Sequence, residues 1–144
     1  MKRHIVHIVS AVFIFLFVYT AVNKLLELGA FTTVLAKSPL LSNYAAVIAW
    51  VIPLAELAIA GLLLFPRTLL VGLYAFSGMM SLFSLYIGYM IFFTPHLPCS
   101  CGGVLKQLSW REHMAFNICF VVVSVVLVYL ERSNHKQDRS FKLT

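Results

Sequence analysis

Cys99 and Cys101 are the residues of this chain whose type and spacing best suit chemistry, because thiols exchange disulfides and bind metals. They lie in the stretch 98–103, which reads PCSCGG, between two long apolar segments. One residue separates the thiols, so a disulfide between them closes a small strained ring, and strain raises its reduction potential. The two glycines give the backbone freedom to open that ring and to admit a partner chain. The spacing therefore favours thiol–disulfide exchange.

Other interpretations of the pair stay open: an inert loop disulfide, two free thiols, or half of a metal site. The metal alternative uses His96, Cys99, Cys101 and His113, four ligands around one loop that suit zinc or copper. Structural zinc sites usually place at least two residues between paired cysteines, so the spacing fits zinc poorly. Thiols near imidazoles accept copper without an ideal tetrahedron. A third cysteine, Cys119, is expected to be a buried lone thiol.

His113 is the histidine expected to assist the thiols. An imidazolium near a thiol favours the thiolate, and an imidazole can take up the thiol proton and release it again near physiological pH. Asn117 and Ser124 follow His113 at spacings of four and eleven residues, which places all three on one helical face. The plainer interpretation is an ordinary interfacial histidine beside Trp110 in an aromatic belt.

The rest of the chain is built for a membrane. Of its 144 residues, 61% are hydrophobic and 11% are charged, and the mean hydropathy is +0.93. Soluble proteins carry roughly a quarter charged residues. About 20 apolar residues are needed for each crossing, so the sequence predicts four spans. These spans run at about 5–22, 45–65, 69–93 and 113–130.

Long apolar runs without alternation exclude a β-barrel and predict helices, since backbone groups in hydrocarbon find no water to bond. We therefore predict an all-α integral membrane four-helix bundle that forms one domain over residues 1–130. The first span lacks the cleavage site of a signal peptide and is expected to be retained. Residues 131–144 are expected to form a cytoplasmic basic tail that is mobile or bound to anionic lipid.

The net charge of +6 reflects membrane topology rather than nucleic-acid binding, because the basic residues concentrate at the ends of spans and in the tail. One side holds Lys2, Arg3, Arg67, Arg132, Lys136, Arg139 and Lys142, and the other holds Lys24, Lys37, Lys106 and Arg111. By the positive-inside rule, both termini face the cytoplasm of a bacterial-type inner membrane, and the cysteine loop faces outward. Disulfides persist on that outer side.

Residues 23–44 join the first two spans and are too long for a tight turn. We expect this segment to lie along the membrane interface, with Ser38 as a helix N-cap and Pro39 as the first helical residue. Its lipid-facing residues are expected to be Leu25, Leu28, Val34, Leu35, Leu40 and Leu41.

Glu56 lies near the middle of the second span, three residues after Pro53. An ionised carboxylate is costly there unless it is paired. Lys24, at the end of the first span, is the nearest basic candidate in sequence order. The pair is expected to act either as a clamp between helices or as part of a proton path.

The third span carries a stripe of small residues that continues to Gly88, so this face is expected to pack closely against a neighbour. The stripe contains Ser77, Ser81 and Ser84. A second interpretation is a quinone groove lined by this face and nearby aromatic residues. Those aromatic residues are Phe83, Tyr86 and Tyr89.

Short motifs also indicate a family: Asn23-Lys24-Leu25 closes the first span, PLAEL occupies 53–57, and a cysteine pair precedes the fourth span. Over about residues 5–130 the chain resembles the DoxX and MauE-like membrane proteins, four-span proteins often described as redox-associated. MauE-like proteins are associated with methylamine utilisation and with maturation of a disulfide-rich periplasmic dehydrogenase subunit. The resemblance implies a thiol pair at the two loop cysteines and an intramembrane polar pair, Lys24 and Glu56. MauE-like proteins often carry a phenylalanine near the cysteines, whereas this loop reads CSCGG.

The predicted function is a membrane thiol-redox protein that presents Cys99 and Cys101 for disulfide exchange with, or maturation of, an exported partner. Cys99 is expected to be attacked first, and the electrons pass to a membrane quinone or to a second thiol protein. One alternative is a non-enzymatic membrane accessory or a copper- or zinc-handling protein. Another is a transporter with a proton route at Glu56, for which four spans require a homo-oligomer.

Overall fold

The structure is a computed structural model that describes residues 2–93 and 109–142. Within these ranges it contains a short 3-10 helix at Ser42–Tyr44 and five α-helices. The α-helices are α1 (Lys2–Leu26), α2 (Leu28–Ala36), α3 (Ala45–Leu64), α4 (Leu69–Phe93) and α5 (Trp110–Lys142). All except α2 are long and apolar enough to cross a membrane. The predicted all-α membrane fold with four spans is confirmed.

The core forms where α1, α3, α4 and α5 pack together. Phe13 and Phe17 of α1 both contact Phe76 of α4; the rings of Phe13 and Phe76 stack with centroids 4.0 Å apart, and those of Phe17 and Phe76 are 4.4 Å apart. Leu63 of α3 and Leu127 of α5 complete this buried cluster. Large aromatic rings therefore fix the distance between the helices at the middle of the bundle.

Gly72 lets α4 approach α3 closely. A Cβ atom added there would lie 3.0 Å from the backbone nitrogen of Leu63 and 3.1 Å from the carbonyl carbon of Leu62. Gly88, on the predicted small-residue face, is buried, and a Cβ there would lie 3.1 Å from Cε of Met114 on α5. Two glycines thus set close helix contacts on α4.

The predicted path of residues 23–44 needs correction. Val34 and Leu35, expected to face lipid, are buried, and Leu35 packs with Phe31 against Ala45 and Ala49 of α3. The physical reason is that α2 folds back on α3, so its apolar face meets protein instead of lipid. Leu40 is exposed, as expected.

Ser38 and Pro39 do not begin a helix, contrary to the prediction. They lie in a turn that follows α2, in which the Ser38 amide donates to the Leu35 carbonyl and the Leu41 amide donates to the Ser38 carbonyl. The Ser38 side chain is fully buried. The turn brings the chain from α2 to the start of α3.

The residues of the predicted basic tail that the structure describes, 131–142, are helical. Helix α5 continues through these residues without a break. No glycine or proline occurs between 110 and 142, so nothing in the backbone ends the helix earlier. The cytoplasmic location of these residues, and their mobility or binding to anionic lipid, stay predictions.

Candidate functional site

A cavity of about 590 Å³ lies among all five helices and is the candidate site. Most of its lining is apolar, and the polar side chains that reach it are few. These polar residues are Thr20, Lys24, Glu56, Tyr86, Tyr89, His113 and Asn117. All four predicted site residues outside the cysteine loop line the cavity: Lys24, Glu56, His113 and Asn117.

Lys24 and Glu56 form the ion pair expected from the sequence. Nζ of Lys24 donates a hydrogen bond to Oε1 of Glu56, which links α1 to α3. The Lys24 side chain is 15% exposed and that of Glu56 is 1% exposed, so both charged groups lie inside the bundle. Nζ also lies 5.2 Å from the ring centre of Phe83 and 5.9 Å from that of Phe31, where the negative ring faces attract a cation.

Two polar atoms in the cavity wall make no hydrogen bond to the described residues. They are Oε2 of Glu56 and Nδ2 of Asn117, and Asn117 is only 3% exposed. Thr20, whose hydroxyl is near the Glu56 carboxylate, donates to the backbone oxygen of Phe17 at 3.3 Å. An unpaired buried donor or acceptor is costly, so two such atoms in one cavity indicate a place for a polar ligand group.

The polar stripe predicted on the fourth span faces the bundle. Asn117 and Ser124 are buried and His113 is half-buried. Ser124 donates to the carbonyl of Val121 at 2.8 Å and lies beyond the cavity, whereas His113 and Asn117 line it. The stripe therefore has a cavity-lining end and a packed end.

Phe83, Tyr86 and Tyr89, the aromatic residues of the predicted groove, all line the cavity. The serines of the neighbouring stripe do not bridge helices, because Ser81 and Ser84 each donate to a carbonyl one turn earlier on α4 at 2.8 Å. The groove is thus lined by aromatic and apolar side chains and by none of the serines of the stripe.

The cavity lies at the end of the bundle where the cysteine loop begins and ends. Residues 82–89 near the end of α4 and residues 113–117 in the first turns of α5 contribute to its wall. Residues 94–108 connect these two segments. The predicted site residues Cys99 and Cys101, and the alternative ligand His96, lie in this connection and outside the described residues.

The first turn of α5 is held by a reciprocal cap. The amide of Glu112 donates to Oγ of Ser109 at 3.3 Å, and the amide of Ser109 donates to Oε2 of Glu112 at 2.8 Å. This arrangement is the capping box, which satisfies two amides that a helix start leaves without partners. It fixes the beginning of α5 and hence the position of His113 one turn later.

Cys119 does not match its prediction, because the structure shows it exposed. Two residues correspond to about 200° around an α-helix, so the inward position of Asn117 turns Cys119 outward. The sequence does not show whether Cys119 faces lipid or protein, since lipid-facing and buried residues of a membrane helix are both apolar.

Among residues 2–93 and 109–142, no three histidine, cysteine or acidic side chains come together to hold a metal ion. Of the four predicted metal ligands, only His113 is described. The sequence interpretation also missed part of the cavity wall, above all Phe31 and Leu35 of α2. Their apolar type was visible, but the way α2 folds against α3 was not.

Comparison with known families identifies one that matches most of the chain. The family described as methylamine utilisation protein MauE matches residues 2–130. The chain belongs to the MauE family. The matched residues include the cavity-lining helices and the cysteine loop, and the match confirms the resemblance to MauE-like proteins. Because it has four helices long and apolar enough to cross a membrane, this MauE chain is a multi-pass membrane protein. No curated protein and no solved structure shows significant similarity to it.

Proposed function

We propose that this MauE-family chain is a membrane thiol–disulfide exchange protein that uses Cys99 and Cys101. One observation supports this most directly: the helix segments on both sides of the cysteine loop form walls of a cavity with buried polar groups. A reactive loop needs a rigid base, and the aromatic core and the cap of α5 supply one. The methylamine utilisation named in the family description makes an exported protein of that process one partner to test.

The exchange proceeds as two thiolate displacements. A thiolate of the exported partner attacks the sulfur of Cys99, which breaks the Cys99–Cys101 bond and releases Cys101 as thiolate. A second partner thiolate then attacks the mixed disulfide and releases Cys99. The partner gains one disulfide, and the cysteine pair takes up the two electrons. His113, in the first turns of α5 after the loop, is the proposed group that takes up a thiol proton.

The proposed orientation has both termini in the cytoplasm of a bacterial-type inner membrane. A second cavity, of about 350 Å³, is lined by Arg3 of α1, Pro66 of the α3–α4 turn and His135 of α5, so these three segments share one end of the bundle. The large cavity, the end of α4 and the start of α5, which the cysteine loop joins in sequence, belong to the other end. The excess of basic residues at the first end supports a cytoplasmic location for it and an exported location for the loop.

Mixed-disulfide trapping tests the function. Membranes from cells that express Cys99→Ser, Cys101→Ser or Cys119→Ser variants are quenched with acid and alkylated, and disulfide-linked adducts are separated without reductant. In Cys101→Ser, the Cys99 thiolate attacks the disulfide of the oxidised partner and releases a partner thiolate, the reverse of the last exchange step, and no Cys101 is present to resolve the adduct. We therefore expect Cys101→Ser to accumulate an adduct through Cys99, Cys99→Ser to give none, and Cys119→Ser to behave as the unmodified chain. The same adduct in the Cys99→Ser/Cys101→Ser double variant, or no adduct from any variant, contradicts the proposal.

A further inference from the structure

We propose that the large cavity binds the headgroup of a membrane quinone, with Asn117 donating to a quinone oxygen and Glu56 accepting from the hydroxyl of the reduced form. This inference rests on the proposed function, because it names the acceptor of the electrons that the cysteine pair collects. It assigns a binding role to residues that the exchange reaction itself does not use.

The size and lining of the cavity fit a ring with an isoprenoid tail. Small-molecule sites measure about 300–1,000 Å³ and are mostly apolar with a few placed polar groups. The present cavity measures about 590 Å³. Its wall includes exposed apolar residues such as Leu82 and Leu85, so it is continuous with the lipid-facing surface from which a lipophilic molecule would enter.

The unpartnered polar atoms distinguish a quinone from a phospholipid. Nδ2 of Asn117 is a donor without a partner among the described residues, and Oε2 of Glu56 is an acceptor without one. A quinone offers carbonyl oxygens to the donor, and a quinol offers hydroxyls to the acceptor. A phosphate or fatty-acid headgroup carries negative charge, which the Glu56 carboxylate repels, and the charge of Lys24 is already matched by Glu56.

The aromatic wall supplies the remaining contacts. Phe83 lies beside Lys24, with 5.2 Å between its ring centre and Nζ, and Tyr86 follows on the same side of α4. Flat rings pack in offset or edge-to-face arrangements with other rings, which suits a planar headgroup. The Lys24–Glu56 ion pair thus lies beside the aromatic wall, where the oxygens of the proposed quinone headgroup would reach the Glu56 carboxylate.

The redox step balances with the quinone as oxidant. The two thiols of the reduced Cys99–Cys101 pair lose two protons and two electrons as the S–S bond forms. The quinone takes up both electrons and two protons, so its two carbonyls become hydroxyls. His113 lines the cavity one turn before Asn117, and we assign it the transfer of a proton between the loop and the cavity.

Binding is measured on the full chain in detergent, with both loop cysteines replaced by serine so that no turnover occurs. Equilibrium dialysis against decylubiquinone gives the dissociation constant. We expect saturable binding, and we expect Asn117→Leu to weaken it by about tenfold, the loss of one buried hydrogen bond. Ser124→Ala, a change at a buried polar residue on the same helix face outside the cavity, is the matched control and leaves the constant unchanged.

A second pair of variants keeps the test valid if Asn117→Leu does not fold. Ala55 lines the cavity and Ala58 is exposed on the same helix. We expect Ala55→Leu to fill the headgroup space and weaken binding by at least about tenfold, because overpacking in a cavity displaces its occupant. Ala58→Leu leaves binding unchanged.

The outcomes separate this inference from the proposed function. Saturable binding that Ala55→Leu or Asn117→Leu weakens and the two controls preserve supports the quinone site. No saturable binding, with mixed-disulfide trapping intact in the cysteine-containing chain, overturns the site and leaves the exchange function standing. A phospholipid or fatty acid that copurifies and is not displaced by decylubiquinone also overturns it. Quinone binding without any trapped adduct supports the site and removes the exchange function.

Discussion

Lys24 of α1 and Glu56 of α3, 32 positions apart in the chain, form an ion pair inside the membrane-spanning bundle. The pair ties together two helices that pack against each other, and it forms part of the cavity wall. The two roles proposed for it, as a clamp and as part of a ligand site, make different demands. A clamp needs only matched charges, whereas a ligand site needs these particular polar atoms.

The clamp role predicts strongly non-additive changes in stability. Lys24→Met or Glu56→Met alone leaves one buried charge without its partner and should lower the free energy of unfolding by about 3–5 kcal/mol. The double variant removes both charges and should recover most of that loss. Thermal unfolding in detergent, followed by circular dichroism, measures all three.

A surface pair provides the control for this cycle. Nε2 of His135 and Oε1 of Glu131 lie 3.9 Å apart on α5, and the His135 side chain is largely exposed. His135→Ala should therefore change the free energy of unfolding by less than about 0.5 kcal/mol. Losses for Lys24→Met and Glu56→Met that simply add in the double variant would show that the two charges do not stabilise each other.

The ion pair was predictable from the sequence and the cavity was not, for a physical reason. Charged residues are so costly in an apolar span that Glu56 requires a partner, and Lys24 was the nearest basic residue. The cavity depends on how α2 packs on α3. Apolar periodicity reveals a face but not whether that face meets lipid or protein, which is why the sequence predicts a lipid-facing Leu35 where the structure has it buried.

The close approach of α3 and α4 predicts that Gly72→Ala is destabilising. The added methyl would lie 3.0 Å from the backbone nitrogen of Leu63, and backbone atoms cannot rotate aside as a side chain can. Overpacking of this kind costs about 1–3 kcal/mol. Gly78→Ala on the same helix meets nothing within 4 Å and is the matched control, expected to be neutral or slightly stabilising. Equal melting temperatures for the two variants would exclude a backbone contact at Gly72.

The orientation of α5 predicts opposite results for two of its apolar positions. Leu127 is 2% exposed and lies in the core cluster, so Leu127→Ala should cost about 2–5 kcal/mol. Cys119 is exposed, and Cys119→Ala should change stability by less than about 0.5 kcal/mol. Chemical unfolding in detergent compares them. A large loss of unfolding free energy in Cys119→Ala would contradict the exposed position and support the buried one that the sequence predicts.

The capping box at the start of α5 predicts a local effect next to the cysteine loop. Ser109→Ala removes the oxygen that accepts from the Glu112 amide and should cost about 1 kcal/mol. The first turn should then open more often, so amide hydrogen exchange should rise at residues 111–113, while residues 124–127 in the middle of α5 stay protected. Ser133→Ala, an exposed serine within the same helix, should leave exchange at both segments unchanged. Unaltered exchange at 111–113 in Ser109→Ala would mean that contacts of His113 with the bundle, rather than the cap, hold the beginning of α5 in place.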